Sequence, residues 1–170
     1  MRLESAFFQR DVLAVAPELV GKLLCCNGRT LRITETEAYR GEEDTACHAS
    51  RGRTRRTEPL YGPGGTIYVY LCYGVHELFN VVTGEEGQPQ AVLIRACEGY
   101  PGPGKLTKPL GIDRRYNGLN ITKTPDLYIA PGGPMGAIRT APRVGIGYAS
   151  KEDQEKLWRF ILDDLQEKSL

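Results

Sequence analysis

The feature that most constrains the fold is a run of three short segments in the middle of the chain, each rich in β-branched or aromatic residues. The run reads TIYVYLCYGVHELFNVVTGEEGQPQAVLIRACE, from Thr66 to Glu98. It predicts strands over residues 66–72, 76–83 and 91–97. Sequential strands joined by tight turns pair antiparallel, because parallel neighbours need long crossover connections.

The first part of the chain predicts an arm, a helix and another strand. Residues 1–10 are expected to form an irregular N-terminal arm, followed by a helix capped by Asp11. Pro17 is expected to open a second helical turn, because proline suits the first turn of a helix, and the apolar stripe continues along it. The members of the stripe are Val12, Val15, Ala16, Leu19, Val20, Leu23 and Leu24. The tight turn Asn27-Gly28 then precedes a strand, RTLRITETEAY.

The remaining chain alternates loops with short elements. A long polar loop over residues 41–59 is expected to hold a short helix near Asp44 to His48. Later elements are a helix within 104–110, a strand around Tyr128 and Ile129, a strand over 143–148 and a last helix over about 151–167. Ser150 and Asp153 resemble a capping box at the start of that last helix.

Length and composition fit one globular unit. The chain has 170 residues and 41% apolar residues, enough to bury a sizeable core. We therefore predict a mixed α/β (α+β) fold in which residues 1–170 form a single domain. That domain has a curved antiparallel sheet, short surrounding helices and long loops.

The cysteine pattern argues against a structural zinc site and against a fold stabilised by disulfide bonds. The chain has five cysteines without a CxxC pair and only two histidines. We read no signal peptide, long apolar run or lipidation signal in it. The expectations are reduced thiols in a cytosolic protein, no structural zinc site and no membrane attachment.

The formal net charge is only +1, so no overall field points to nucleic acid. The charge is nevertheless uneven, because RGRTRR concentrates four arginines: Arg51, Arg53, Arg55 and Arg56. Two interpretations of this cluster stay open, a solvated loop or a phosphate-binding patch.

The stretch ITETEAYRGEEDTACHAS, residues 33–50, places an unusual number of polar side chains on a strand and its following loop. With a period of two, one face of the strand carries Leu31, Ile33, Glu35, Glu37 and Tyr39. Two carboxylates then share a face with two aliphatic residues. Either they lie on an edge strand and point to water, or they face a pocket.

Five motifs occur in order: ETEAYRGEEDTACHAS, YGPGGTIYVYLCYGVHELFNVV, VLIRACE, GPGKLTKPLGI and RVGIGYA. Together, from about Gly21 to Phe160, they resemble the alkyladenine (3-methyladenine) DNA glycosylase family. The resemblance implies a monomeric enzyme, without metal or cofactor, that acts on double-stranded DNA containing damaged purines. It also implies a cytoplasmic (nucleoid-associated in a bacterium) or nuclear location. Such an enzyme flips an alkylated or deaminated purine and hydrolyses its N-glycosidic bond with a Glu-activated water, leaving an abasic site. The substrate class is 3-methyladenine, 7-methylguanine, hypoxanthine and ethenoadenine, without a ranking.

The resemblance also assigns roles to individual residues. Glu37 aligns with the water-activating base, and Arg95 with a basic residue beside the sugar-phosphate and the water. A carboxylate there suits the reaction, because it accepts a proton from water and stabilises positive charge on the sugar. No lysine aligns as a Schiff-base nucleophile, so a monofunctional glycosylase is implied. Residues implied for the base pocket are Tyr39, Ala46, His48, Tyr70 and Asn80.

Other implied positions contact DNA outside the pocket. Tyr73 would occupy a hairpin tip and wedge into the gap left by the flipped base. Gly104 and Lys105, at a possible helix start, would hold a phosphate, as would the four arginines of residues 51–56. The chain departs from the family at Thr57, where asparagine is common, and at Cys47, where a smaller residue is usual.

Two other functions use the same residues. A non-catalytic nucleic-acid-binding domain would use the arginines and tyrosines without hydrolysis. A sugar hydrolase would use Glu35 and Glu37 as its carboxylate pair, since residues two apart on a strand are roughly 6.5–7 Å apart. The combined set of aromatic, asparagine and basic residues favours the glycosylase.

Overall fold

The centre of the molecule is a curled antiparallel sheet. The computed structural model describes residues 1–132 and 136–163, and within them eight strands form one sheet with the path β3-β4-β5-β2-β1-β6. Strands β7 and β8 pair with each other, and β8 also pairs with β2. The strands are β1 Leu23–Cys26, β2 Arg29–Arg40, β3 Ile67–Cys72, β4 His76–Thr83, β5 Gln90–Cys97, β6 Leu127–Ala130, β7 Ala137–Ala141 and β8 Arg159–Asp163.

Short helices surround the sheet, which confirms the α+β class. They are α1 Ser5–Phe8, α2 Val12–Leu19, α3 Pro103–Leu110 and α4 Lys151–Glu155, with 3-10 turns at His48–Arg51, Glu58–Tyr61 and Arg114–Tyr116. Asp11 caps α2 by accepting a hydrogen bond from the Leu13 N–H, as predicted. Within the described ranges, no helix is long and apolar enough to cross a bilayer.

The N-terminal arm is more ordered than an irregular segment. It contains α1, and the Phe8 side chain is fully buried in the main core. The Leu3 N–H donates to the Ile129 carbonyl at 2.7 Å, and Arg2 donates to the Thr124 carbonyl at 2.7 Å. These contacts join the arm to β6 and the loop before it.

The three central strands are confirmed to within one residue at each end. The hairpin between β3 and β4 turns at Tyr73 and Gly74, which both have positive φ, +52° and +70°. Gly74 has no Cβ and adopts this conformation without strain. Tyr73 adopts it at some cost and leaves its side chain 93% exposed.

The strict alternation predicted for β2 is wrong, because its pairing with β5 is irregular between Ile33 and Thr36. Ile33 and Thr36 are three positions apart, yet both are fully buried on the side of the helices. The irregularity places Ile33 in the core and Glu37 on the opposite face with Tyr39. Ile33 and Glu37 therefore do not share a face. This explains how β2 carries a carboxylate without placing it among the apolar residues of the main core.

Three other predicted elements differ from the structure. Leu23 and Leu24 belong to β1 rather than to a helical stripe. Gly21, at φ +94°, turns the chain out of α2, and β1 then pairs with β2. Residues 143–148 form turns, with Gly145 at φ +74°. The last helix ends at Glu155, and the apolar residues after it form β8 against β2 and β7. The predicted helical positions 164–167 lie outside the described residues.

The two faces of the sheet have different environments. The main core fills the side of α2 and α3, with Phe79, Val81, Val92 and Ile94 among its fully buried side chains. The other face carries a smaller cluster made with the loop after β2, including Cys47, Leu60 and Tyr68. The candidate site lies on this second face.

Candidate active site

A cavity opens where the second face of the sheet meets the loop that follows β2. Its empty volume is ≈ 330 Å³, which includes open solvent at the mouth. The lining residues are Tyr39, Ala46, Cys47, His48, Leu60, Tyr68, Tyr70, Asn80, Ala91 and Tyr148. All five residues predicted for a base pocket are in this set.

Aromatic rings dominate the cavity wall. The His48 ring lies 4.6 Å from the Tyr70 centroid, and its Nδ1 is 2.8 Å from the Tyr68 hydroxyl, in a hydrogen bond. Burial lowers the pKa of His48 to about 4, with a smaller contribution from Arg56 and Arg51. The imidazole is therefore neutral at pH 7 and does not repel a cationic ligand.

The Asn80 amide is held in place by the backbone of the sheet. Its Nδ2 donates to the Tyr68 carbonyl at 3.1 Å and to the Leu78 carbonyl at 3.5 Å. Asn80 is buried in β4, directly opposite Tyr68 of β3. A fixed amide at the cavity wall rejects ligands whose polar groups do not match it.

Glu37 has no exposed surface and lies behind the cavity wall. Its Oε1 accepts a hydrogen bond from the Tyr39 hydroxyl at 2.8 Å, and its Oε2 accepts one from the Val144 N–H at 2.8 Å. The Arg95 Nε lies 3.8 Å from Oε2. The tyrosine therefore connects the carboxylate to the cavity that its own ring lines.

The charge of Glu37 is set by opposing effects. Burial raises its pKa, while the Arg95 cation and the hydrogen bonds from Val144 and Tyr39 oppose that rise. Arg95 also lies 3.8 Å from Glu35, which in turn is 3.8 Å from Arg159. Glu35 is 24% exposed, whereas Glu37 has no exposed surface, so the two carboxylates have different environments.

A buried ion pair that sequence reasoning missed holds this region together. Arg143 donates to Asp44 through both terminal nitrogens, at 2.6 and 3.0 Å, and to the Ala38 carbonyl at 2.9 Å. Its side chain is 0% exposed and lies between the rings of Tyr39 and Trp158, each 5.0 Å away. Arg143 was visible only as part of a motif, because its partner is 99 positions away.

Tyr148 is a second residue that sequence reasoning did not single out. It lines the cavity, and its hydroxyl donates to the Ala46 carbonyl at 2.6 Å. No local pattern indicates this contact, since the loop between β7 and α4 has no regular structure. The motif RVGIGYA was the available signal.

The predicted DNA-contact residues lie outside the cavity. Arg51, Arg55 and Arg56 are exposed, and the Arg56 guanidinium lies 5.9 Å from the Tyr70 centroid. Arg53 is exposed too but forms an ion pair with Glu58 at 2.6 Å. Thr57 caps this turn by accepting from the Thr54 N–H and donating to the Gly52 carbonyl.

Gly104 and Lys105 lie in the first turn of α3, as predicted, and Lys105 is exposed. The structure supplies a packing reason for the glycine. A Cβ at position 104 would meet the His76 ring at 2.6 Å, so only glycine lets β4 begin against this helix. The Tyr73 hairpin tip precedes His76 in the same hairpin.

The comparison with known proteins decides the family. The model of the methylpurine-DNA glycosylase family matches residues 6–101 and 98–166. The chain belongs to the methylpurine-DNA glycosylase family. Membership makes the protein a DNA glycosylase of base excision repair, a hydrolase of N-glycosyl bonds.

The similarity of this methylpurine-DNA glycosylase family member to known proteins covers nearly the whole chain. A protein of Nitrosococcus oceani is 45% identical over 181 residues, covering 95% of this chain and 90% of its own length. One of Myxococcus xanthus is 46% identical, covering 92% and 89%. One of Rickettsia felis is 41% identical, covering 96% and 94%. Each bears the name "Putative 3-methyladenine DNA glycosylase".

Within residues 1–132 and 136–163, no group of three or more His, Cys, Asp or Glu side chains is arranged to hold a metal ion. All five cysteines are free thiols. Cys47, one of the departures from the family pattern, is buried at the cavity wall, and burial raises its pKa to about 11. It therefore contributes apolar surface to the pocket rather than a thiolate.

Proposed function

We propose that this protein extracts an alkylated or deaminated purine from duplex DNA and hydrolyses its N-glycosidic bond with a water activated by Glu37. The observation that carries the proposal is one fully buried carboxylate joined by a tyrosine hydroxyl to an aromatic cavity. A buried carboxylate that keeps a cation nearby is suited to accept a proton from water. It also stabilises the positive sugar that forms as the bond breaks.

The cavity supports a flipped purine as the ligand. The faces of Tyr39, His48 and Tyr70 provide stacking surfaces for a base taken out of the duplex. Alkylated purines are electron-poor or cationic and stack well on electron-rich rings. Because His48 is neutral, its ring adds no positive charge that opposes such a base.

The surroundings of Glu37 support a place for the water. Its neighbours Arg95 and Val144 both reach solvent, with exposures of 19% for the arginine side chain and 43% for the valine. A water between them would lie next to the carboxylate. The exposed tyrosine at the hairpin tip, Tyr73, would fill the gap in the duplex, and the exposed arginines would contact phosphates.

The first test is a single-turnover assay on methylated duplex DNA and on a duplex with one hypoxanthine, scoring free base and abasic sites. Wild type is expected to release base. Glu37→Gln is expected to lose about 10²–10⁴-fold in rate while still binding damaged DNA. Uncut strands after base release would support a monofunctional enzyme.

Glu35→Gln is the matched control, because it removes a neighbouring carboxylate that is 24% exposed and is not the one that the Tyr39 hydroxyl contacts. It is expected to lose much less activity than Glu37→Gln. Equal losses would mean that Glu35 takes part in base release as much as Glu37 does, and would contradict Glu37 as the single catalytic base. A folded wild type that binds DNA but releases no base would identify a non-catalytic nucleic-acid-binding domain.

A further inference from the structure

Tyr148 enters the cavity from the loop between β7 and α4, whereas the other lining residues come from the sheet or from residues 46–60. It is 62% exposed, so it lies at the cavity mouth rather than at the floor. Its hydroxyl donates to the Ala46 carbonyl at 2.6 Å. The residue thus lies at one side of the entrance, and its oxygen contacts a residue that also lines the cavity.

The position of Tyr148 is fixed by its neighbours in the loop. Ile146 and Ala149 are buried and pack against Ala46 and Tyr39. The Ala149 N–H donates to the Ile146 carbonyl at 2.9 Å, which makes Tyr148 part of a tight turn. The apolar contacts on both sides of the tyrosine hold its hydroxyl on the Ala46 carbonyl.

This contact decides what the phenol offers to a ligand. A tyrosine hydroxyl has one hydrogen, and a carbonyl oxygen only accepts, so the hydrogen is committed to Ala46. The lone pairs of the phenol oxygen remain. Burial, which is partial, raises the pKa of Tyr148, so the hydroxyl keeps its hydrogen at neutral pH.

We propose that Tyr148 determines specificity by accepting a hydrogen bond from an N–H on the edge of the flipped purine. This inference rests on the proposed function and refines its substrate class. Hypoxanthine, 7-methylguanine and 3-methyladenine each carry at least one N–H donor on the base. Ethenoadenine carries none, because its etheno bridge joins N1 and N6. The pocket therefore favours donor-bearing lesions over ethenoadenine.

The test compares two lesions in the Glu37→Gln background, which permits binding to be measured without turnover. Dissociation constants are measured for duplexes with hypoxanthine, ethenoadenine or no lesion, with and without Tyr148→Phe. Phenylalanine keeps the ring and removes only the oxygen. Loss of one neutral hydrogen bond is expected to weaken hypoxanthine binding about fivefold, and ethenoadenine binding much less.

Tyr128→Phe in the same background is the matched control, since Tyr128 lies on β6 and does not line the cavity. It should not change the hypoxanthine-to-ethenoadenine ratio. Equal weakening of both lesions by Tyr148→Phe would overturn the proposal, because it would mean that the phenol only positions the Ala46 loop. Unchanged affinity for both would overturn it as well.

Base release by wild type from methylated DNA separates the two levels of the argument. If wild type releases base and the ratio is unaffected by Tyr148→Phe, only the role of Tyr148 fails. If folded wild type releases no base, the proposed function fails, and the specificity role fails with it.

Discussion

At the scale of single residues, the ionisation of Glu37 connects the structure to the reaction. A general base must be charged, and burial favours the neutral acid. The Arg95 cation 3.8 Å away counters that effect and is the largest influence that lowers the Glu37 pKa. Arg95 therefore has a second expected role besides contact with the sugar-phosphate, which is to keep Glu37 ionised.

Replacing Arg95 should change the pH dependence of base release. Activity falls as pH drops through the pKa of Glu37, because protonation removes the base. Arg95→Gln removes the cation, so the pKa of Glu37 rises and the acid limb moves to higher pH. The measurement is the single-turnover rate on hypoxanthine duplex against pH for wild type and variant.

Arg115→Gln provides the comparison for that profile. Arg115 is exposed and pairs with Asp113 at 2.9 Å, away from the cavity lining. Its replacement should leave the acid limb where it is. An acid limb that stays in place in Arg95→Gln, with only a lower maximum, would contradict the electrostatic role and favour a role in substrate contact.

Residues differ in how far the sequence reveals them. Tyr39, Ala46, His48, Tyr70 and Asn80 were predicted from the motifs, and the structure brings all five to one cavity. Arg143 and Tyr148 have no local signal, since their contacts with Asp44 and Ala46 span about a hundred positions and depend on the folded loop. The binding roles of the five predicted pocket residues remain predictions.

At the scale of elements, local patterns predicted the central hairpins well and the strand after α4 poorly. The strands β3 to β5 have dense β-branched and aromatic residues between clear turns. The apolar residues of β8, Phe160 to Leu162, were read as a helix face because they follow a genuine cap at Ser150. Pairing with β2 and β7 overrides that local preference.

The element that shapes the site is the loop network around Asp44 and Arg143. The Asp44 carboxylate also accepts from the N–H groups of Arg40 and Ala46, so one ion pair joins β2, the pocket loop and the segment before α4. Arg143→Met should lower the free energy of unfolding by about 3–5 kcal/mol, because it leaves a buried carboxylate unpaired. Urea unfolding followed by circular dichroism measures this loss.

A double variant tests whether the loss comes from the unpaired charge. Asp44→Asn combined with Arg143→Met removes both charges and should be less destabilised than the sum of the single variants. Arg115→Met, which breaks an exposed ion pair, should unfold at the wild-type urea concentration. Additive losses from the Asp44 and Arg143 variants would contradict a coupled buried pair.

At the scale of the whole molecule, the charge is nearly balanced, at +1. Attraction to DNA therefore depends on where the cations lie. The loop of residues 51–56, here called the arginine loop, places Arg51, Arg55 and Arg56 in solvent beside the cavity. None of the three has a counter-ion among the described salt bridges. Arg53 differs, because Glu58 already neutralises it. The sequence left two interpretations of this cluster open, and we propose the phosphate-binding patch because these three cations are exposed.

The salt dependence of DNA binding should report this local patch. Each phosphate contact contributes about 0.9 to the slope of log K against log salt, so Arg51→Gln/Arg55→Gln should lower the slope by about 2. The slope is measured with undamaged duplex, because these contacts do not read the base. Arg29→Gln/Lys123→Gln removes two exposed cations outside the loop and should leave the slope near that of wild type. Equal decreases in both double variants would mean that DNA is attracted by net charge, and that the arginine loop is only a solvated surface.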